Sequence, residues 1–373
     1  MQKTTLLTLL ILLTAALTAT AQNAAQLTEK GRNAEQMGLT DLAERHYRNA
    51  LQADGGDTAD EARTRLGILL EQKEYYPEAA ALLAQSHRSE GQAHLALCLL
   101  QMHMPDSAAI CAARAVELDT TSALAMTVMA YVETERDQHI KATSWANRAL
   151  KANPKYARAE NVMGYILYRK GNDNEAMRHF KKAIELDNTL ADAYYNLSVI
   201  YCQRNSQESA IRMVKQGLQH HPNNIRLYTI LAHAYRMKSD FPKALECYNR
   251  ILTADSLHTP TLNRIGTLYC EQGHYDRAIA YHRRVLNIDP NNADAYKYIG
   301  KAYIEWGQLD KATQSFIRAT KLCNTDPETY MFLAQLYGKQ KKGEHKQQSA
   351  YKKAARLGDK EAQAWLVKKG LAW

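Results

Sequence analysis

The side chains of this chain with the most to offer chemically are guanidinium, phenol and amide groups gathered between residues 158 and 236. They fall within the set Arg158, Asn161, Tyr165, Tyr168 and Arg169, then Asp192, Tyr195, Asn196, Val199, Cys202 and Gln203, then Arg226, Thr229, His233, Arg236 and Met237. An arginine fork pairs with a carboxylate through two parallel hydrogen bonds, and a tyrosine face anchors contact area at little entropic cost. That is recognition chemistry. Turnover chemistry has no matching set, because HExxH, GxSxG, GxGxxG and P-loop patterns are absent. The 13 histidines are scattered, with His220-His221 in an expected solvated turn. The 6 cysteines form no CxxC and no Cys/His pair at metal spacing, so no metal and no cofactor are implied. Cys98 and Cys111 fall on opposite helices of one repeat, near enough to meet, but buried small hydrophobes are the favoured account. A noncatalytic chain is expected.

The second feature is a basic end: Lys339, Lys341, Lys342, Lys346, Lys352 and Lys353. Of the formal +9, +7 resides in Lys339–Trp373, while residues 22–338 sum to +1. Such an end suits peripheral contact with an anionic membrane surface or polysaccharide. Nucleic acid is not expected, since aromatic interleaving is poor and no nucleic-acid motif is present. A solvated charged end that prevents stacking is the simpler account.

A 34-residue period positions all of these groups. Units starting at Ala157, Ala191, Ile225, Thr259 and Ala293 carry Gly164, Ser198, Ala232, Gly266 and Gly300 at place 8. Place 20 holds Ala176, Ala210, Ala244, Ala278 and Ala312, and place 11 holds Tyr201, Tyr235, Tyr269, Tyr303 and, one unit on, Tyr337. Each unit reads as two amphipathic helices. In the first, a helix over 159–170 precedes a turn at Gly171–Asn174 and a helix over 175–186. The small residues are expected where the paired helices cross most closely. The tyrosines are expected to fill the seam, each hydroxyl with a polar partner.

Met163-Gly164, Ala176, Phe180 and Ala183 resemble the tetratricopeptide repeat (TPR), as do Ile265-Gly266-x-x-Tyr269, Ala278 and Pro290, and Ile299-Gly300-x-x-Tyr303, Ala312 and Phe316. Tyr351–Leu366 also resembles the related Sel1-like repeat. The resemblance implies an all-α α-solenoid, a right-handed superhelix of about ten helix-turn-helix units plus a C-terminal cap helix at 360–369. It implies too that places 2, 5, 9, 12 and 13 line a concave groove, which gathers the Arg/Tyr stripe named above. The expected partner is a protein or peptide, with an acidic segment favoured. In the carboxylate clamp of some family members, Asn196 and Arg226 match two places, whereas Asn161, Tyr165 and Ile230 do not fit the remaining three.

The organisation expected along the chain is a signal peptide at 1–21, a degenerate repeat at 22–59, two repeats at 60–122, regular repeats at 123–326, and a degenerate basic repeat with its cap at 327–373. Lys3, the apolar stretch Leu6–Leu17 and Ala19-Thr20-Ala21 make the leader pattern. Export to a bacterial periplasm or beyond is the expectation. The Gly-Gly pair at 55–56 is the sole candidate hinge. Thr58, Ser107, Thr120 and Ser256 each follow an aspartate at an expected turn, resembling the O-glycosylation acceptors of some exported bacterial proteins. Asp-Ser and Asp-Thr are also ordinary turn and cap pairs. The rival functional class is an assembly subunit acting through its ends and convex face; an enzyme is the weakest reading.

Overall fold

The computed structural model describes residues 22–53, 59–340 and 343–373. The expected signal peptide at 1–21, the candidate hinge at 55–56, Thr58, Lys341 and Lys342 lie outside them. Short turns set consecutive helices in antiparallel pairs within each unit, a single helix comes last, and there is no strand among the described residues. The pairs are α1 (22–36) with α2 (Thr40–Ala53), α3 (Asp60–Gln72) with α4 (Tyr76–Leu83), α5 (Ser89–Gln101) with α6 (Pro105–Leu118), α7 (Ala123–Glu135) with α8 (His139–Ala152), and α9 (Ala157–Arg169) with α10 (Asp173–Leu186). Then follow α11 (Ala191–Gln203) and α12 (Gln207–His220), and the pairs α13 (Ile225–Met237) with α14 (Phe241–Ala254), α15 (Thr259–Glu271) with α16 (Tyr275–Ile288), α17 (Ala293–Glu305) with α18 (Leu309–Leu322), and α19 (Pro327–Lys339) with α20 (Glu344–Arg356). α21 (Lys360–Lys368) packs on α20 as the cap. The chain divides into two compact units between Ile200 and Tyr201. In the first unit, α3, α5, α7 and α9 pack on one another in series; in the second, α15 packs on α17.

All five period origins are the first residues of helices. Asn224, Asn292 and Ser122 precede such starts, and their side chains accept the N–H of Leu227, Ala295 and Ala125. Each bond satisfies a backbone donor that the helix itself leaves open. The shortened second repeat has a plain cause: α4 runs for 8 residues where α10 runs for 14.

The second helices bury a narrow stripe. In α10 it is Ala176, Phe180 and Ala183, and in α18 it is Ala312, Phe316 and Ala319 with Thr313. Place 8 meets place 24. A Cβ built on Gly164 would lie 2.7 Å from the Phe180 ring and 3.1 Å from the Ala176 carbonyl oxygen. The close crossing expected at Gly164 and Ala176 is therefore present, and the ring that fills it comes from place 24.

The place 11 tyrosines differ from expectation. Tyr235 and Tyr303 are buried, but their hydroxyls and that of Tyr269 make no hydrogen bond to another described residue and are not sealed from solvent. Their rings instead lie under cations: Lys243 Nζ is 5.5 Å from the Tyr235 centroid, Arg277 5.8 Å from Tyr269 and Lys311 5.6 Å from Tyr303. Place 11 abuts the turn, so the ring is covered while the hydroxyl reaches water.

Place 15 follows nine of the first helices in the left-handed region. Gly38, Gly171, Gly273 and Gly307 suit it, but Glu74, His103, Asp137, Asn205 and Ser239 adopt it with φ of 52–64°. A side chain there carries a conformational cost that glycine lacks. Ser239→Gly is expected to raise stability by about 0.5–1 kcal/mol. The check is an upward shift of the urea midpoint with an unchanged slope.

Candidate functional site

In the first unit, α9 and the first turns of α11 carry the candidate groove residues. Arg158, Asn161, Tyr165, Tyr168 and Arg169 recur at helical spacing along α9. Arg158 is exposed, and Asn161, Tyr165, Tyr168, Tyr195 and Asn196 are half-buried. Asn196 Nδ2 donates to Asn161 Oδ1 at 3.1 Å, tying α11 to α9 through the amide that matches the clamp.

The arginines of this face are not all available. Arg169 Nη2 donates to Asp137 at 2.7 Å and Nη1 to the Tyr165 hydroxyl at 3.2 Å, with Glu135 3.6 Å away. The Tyr165 hydroxyl donates to Glu135 at 2.7 Å, and its ring meets Tyr131 edge-on at 5.6 Å. Burial, then the hydrogen bond to Glu135, pushes the Tyr165 phenol above its usual range. Arg169 and Tyr165 therefore join successive repeats. The arginine fork expected for an acidic partner is already bonded within the chain.

In the second unit, Arg226 is exposed on α13. Arg236 Nη1 donates to Glu271 at 2.6 Å and Nη2 to His233 Nδ1 at 3.3 Å. Burial and the Arg236 and Arg264 guanidiniums hold the His233 imidazole below the usual histidine range, so it stays neutral and accepts that bond. Ile230 and Cys202 are buried, which removes both from any outward face. Burial pushes the Cys202 thiol up to about 11 and those of Cys98 and Cys247 up to about 12. All six thiols are free, and Cys98 and Cys111 share one core without bonding.

A regular inter-repeat clasp escaped the sequence reading. Lys73 donates to Asp41 at 2.8 Å, Arg136 to Asp106 at 3.2 Å and Gln340 to Asp310 at 3.4 Å, and Lys238 pairs with Glu208. In each, place 14 reaches back to place 18 of the preceding repeat, a separation of 30–32 residues. Opposite charges recurring at slightly less than one period were the available signal. These pairs are mostly exposed and individually worth little.

The remaining candidates fall as follows. Lys339 and Lys346 are exposed, and Lys352 and Lys353 are half-buried on α20. Thr120 and Ser256 are exposed in turns, but Ser107 lies half-buried in the first turn of α6, not in a turn between helices. Asp119 and Asp255 accept backbone N–H bonds from Thr121 and Leu257, the ordinary turn role. Among the described residues no group of three His, Cys, Asp or Glu is placed to hold a metal, and no helix is long and apolar enough to cross a membrane.

The arrangement is that of a helical-repeat protein. Residues 164–202 match the family model described as TPR repeat, and residues 269–336 match that described as tetratricopeptide repeat. Among solved structures, a monomeric IFIT1 mutant with m7Gppp-AAAA is similar at TM-score 0.53 and 12% identity, over 90% of each chain. The human IFIT1 dimer with m7Gppp-AAAA is similar at TM-score 0.52 and 13% identity, again over 90% of each. MamA is 24% identical with TM-score 0.38, over 43% of this chain and 93% of its own. No curated protein matches the chain. The IFIT1 likeness shows the repeat fold. Within residues 164–202 and 269–336 the repeats match the tetratricopeptide pattern.

Proposed function

We propose that this chain is a noncatalytic scaffold that holds a protein or peptide partner along the first-helix face, in a bacterial envelope. The observation that carries the reading is the run of half-exposed Asn161, Tyr165, Tyr168, Tyr195 and Asn196 with exposed Arg158, on α9 and α11, which the Asn196–Asn161 hydrogen bond ties together. With Tyr165 held by Glu135 and the Asn161 and Asn196 amides by each other, this face offers contact area and hydrogen bonds with little left to order on binding. The leader pattern at 1–21 supports export. Affinity capture from the envelope fraction is expected to enrich one partner, and Arg158→Glu with Tyr195→Ala and Asn196→Ala to reduce its recovery about tenfold. Undiminished recovery on a folded variant counts against this face.

A second reading, an assembly subunit, draws on exposed apolar side chains beside the intra-repeat turns of the first unit. Met37 is 74% exposed, Tyr75 58%, Met104 44% and Ile140 90%. Apolar groups recurring along one edge mark contact surfaces. A stable higher-order species that persists in the groove variant favours this reading over the scaffold.

A further inference from the structure

We propose a second binding site, for an acidic peptide segment, in the concavity between α18, α19 and α20. It has a volume of about 680 Å³ and lies wholly within the second unit. From α19 it takes places 4, 7 and 11, not the places of the first-helix groove. It is therefore a different surface from the one proposed above, and stands whether or not that one carries a partner.

Its chemistry is one-sided. Lys346, Lys352, Lys353 and Arg356 line it from α20, and no aspartate or glutamate does. None of the four makes an ion pair with a described residue. The contrast with Lys297 in the same unit is direct. That ammonium has Asp294, Asp326 and Glu328 within 3.4 Å. Burial disfavours its charge, but hydrogen bonds to Asp326 and Asp294 hold it above the usual lysine range. Lys352 and Lys353 are half-buried without such partners among the described residues, so carboxylates from outside would meet a field that no described ion pair neutralises.

The floor selects among anions. Leu333 is buried and Tyr330 half-buried, which suits an apolar side chain set between the carboxylates. Lys353 Nζ stands over the Tyr330 ring at 6.0 Å, so this face is not open for a base to stack. Half-buried lysines inside a recess are also poorly reached by a flat bilayer. A short acidic peptide with an apolar residue fits all three observations.

The test is fluorescence anisotropy with a labelled octapeptide of glutamate pairs and leucines, against its glutamine counterpart. The purified chain is expected to bind the glutamate peptide, about tenfold more weakly when salt rises from about 0.05 to 0.5 M. Lys346→Gln with Lys352→Gln, Lys353→Gln and Arg356→Gln is expected to lose about tenfold or more at unchanged helicity. Should that variant fail to fold, Lys353→Gln and Arg356→Gln singly carry the same comparison. The first-helix variant, Arg158→Glu with Tyr195→Ala and Asn196→Ala, is expected to bind the peptide normally. Equal binding of the glutamine peptide, or unchanged binding by the lysine and arginine variants, overturns the proposal. So does tighter binding of phosphatidylserine vesicles or of oligouridylate than of the peptide.

Discussion

His282→Phe is expected to leave the fold at least as stable as the parent at pH 7 and to remove much of its sensitivity to mild acid. His282 is 1% exposed, and burial holds its imidazole down to about 4. Its Nδ1 is 2.9 Å from Asn263 Oδ1, and Tyr298 stacks on the ring at 5.2 Å. A neutral ring donates to the Asn263 oxygen; a second proton would charge a group packed against Gly266 and Tyr298. The unfolded histidine takes its proton near pH 6.5, while the folded one refuses it until about pH 4. Between those values the unfolded state binds more protons, so stability falls as pH falls through this window and the loss levels off below it. The shift corresponds to about 3 kcal/mol. His233, also held below its usual range, adds a loss of the same sign. His282→Phe isolates the first contribution. Phe180 and Phe316 occupy the same place in sister repeats, each against a place 8 glycine, so the socket already accepts the ring. Asn263 is half-buried and can turn to water. Urea melts of parent and variant at pH 7 and about pH 4.5 are expected to converge on a difference of about 2–3 kcal/mol in their pH sensitivity. Parallel losses in the two proteins would sink this account.

The same socket shows what the sequence made legible. Small residues at place 8 and the helix starts at Ala157, Ala191, Ile225, Thr259 and Ala293 were readable because backbone approach and capping are local or strictly periodic. The partner of Gly266 was not, because place 24 is aromatic in some repeats and histidine in this one. The candidate groove was legible as a set of positions but not as a set of charges. Arg169 and Arg236 carry the residue type that suits an acidic partner, yet Asp137 and Glu271 hold them from 32 and 35 residues away. Which carboxylate a long side chain reaches depends on the register between successive repeats, and composition at one place does not encode it. The reverse holds at the basic end. Its charge was plain in the sequence, but the recess that turns part of it into a site needs α18 and α20 on either side of α19.

Gly300→Val is expected to destabilise the chain by about 3 kcal/mol, at the upper end of what overpacking costs. A Cβ at Gly300 would lie 2.8 Å from Cε2 and Cζ of Phe316, closer than real contacts come. Phe316 has little room to yield: it is fully buried and stacked on Phe332 at 5.2 Å with the rings 13° apart. The cost must then appear as separation of α17 from α18. Phe316→Ala alone is expected to cost about 3–5 kcal/mol by leaving a cavity. Combined with Gly300→Val, part of that cavity is filled and the clash is gone, so the double variant is expected to lose about 1–2 kcal/mol less than the two losses added together. Gly307→Ala supplies the contrast. Nothing lies within 4 Å of a Cβ there, and the constraint is a backbone φ of +77°. Its cost, about 1 kcal/mol, is conformational and is expected to add to that of Phe316→Ala without coupling. Additive losses for Gly300→Val and Phe316→Ala in urea denaturation, like those for Gly307→Ala, would mean that place 8 is not reserved for the place 24 ring.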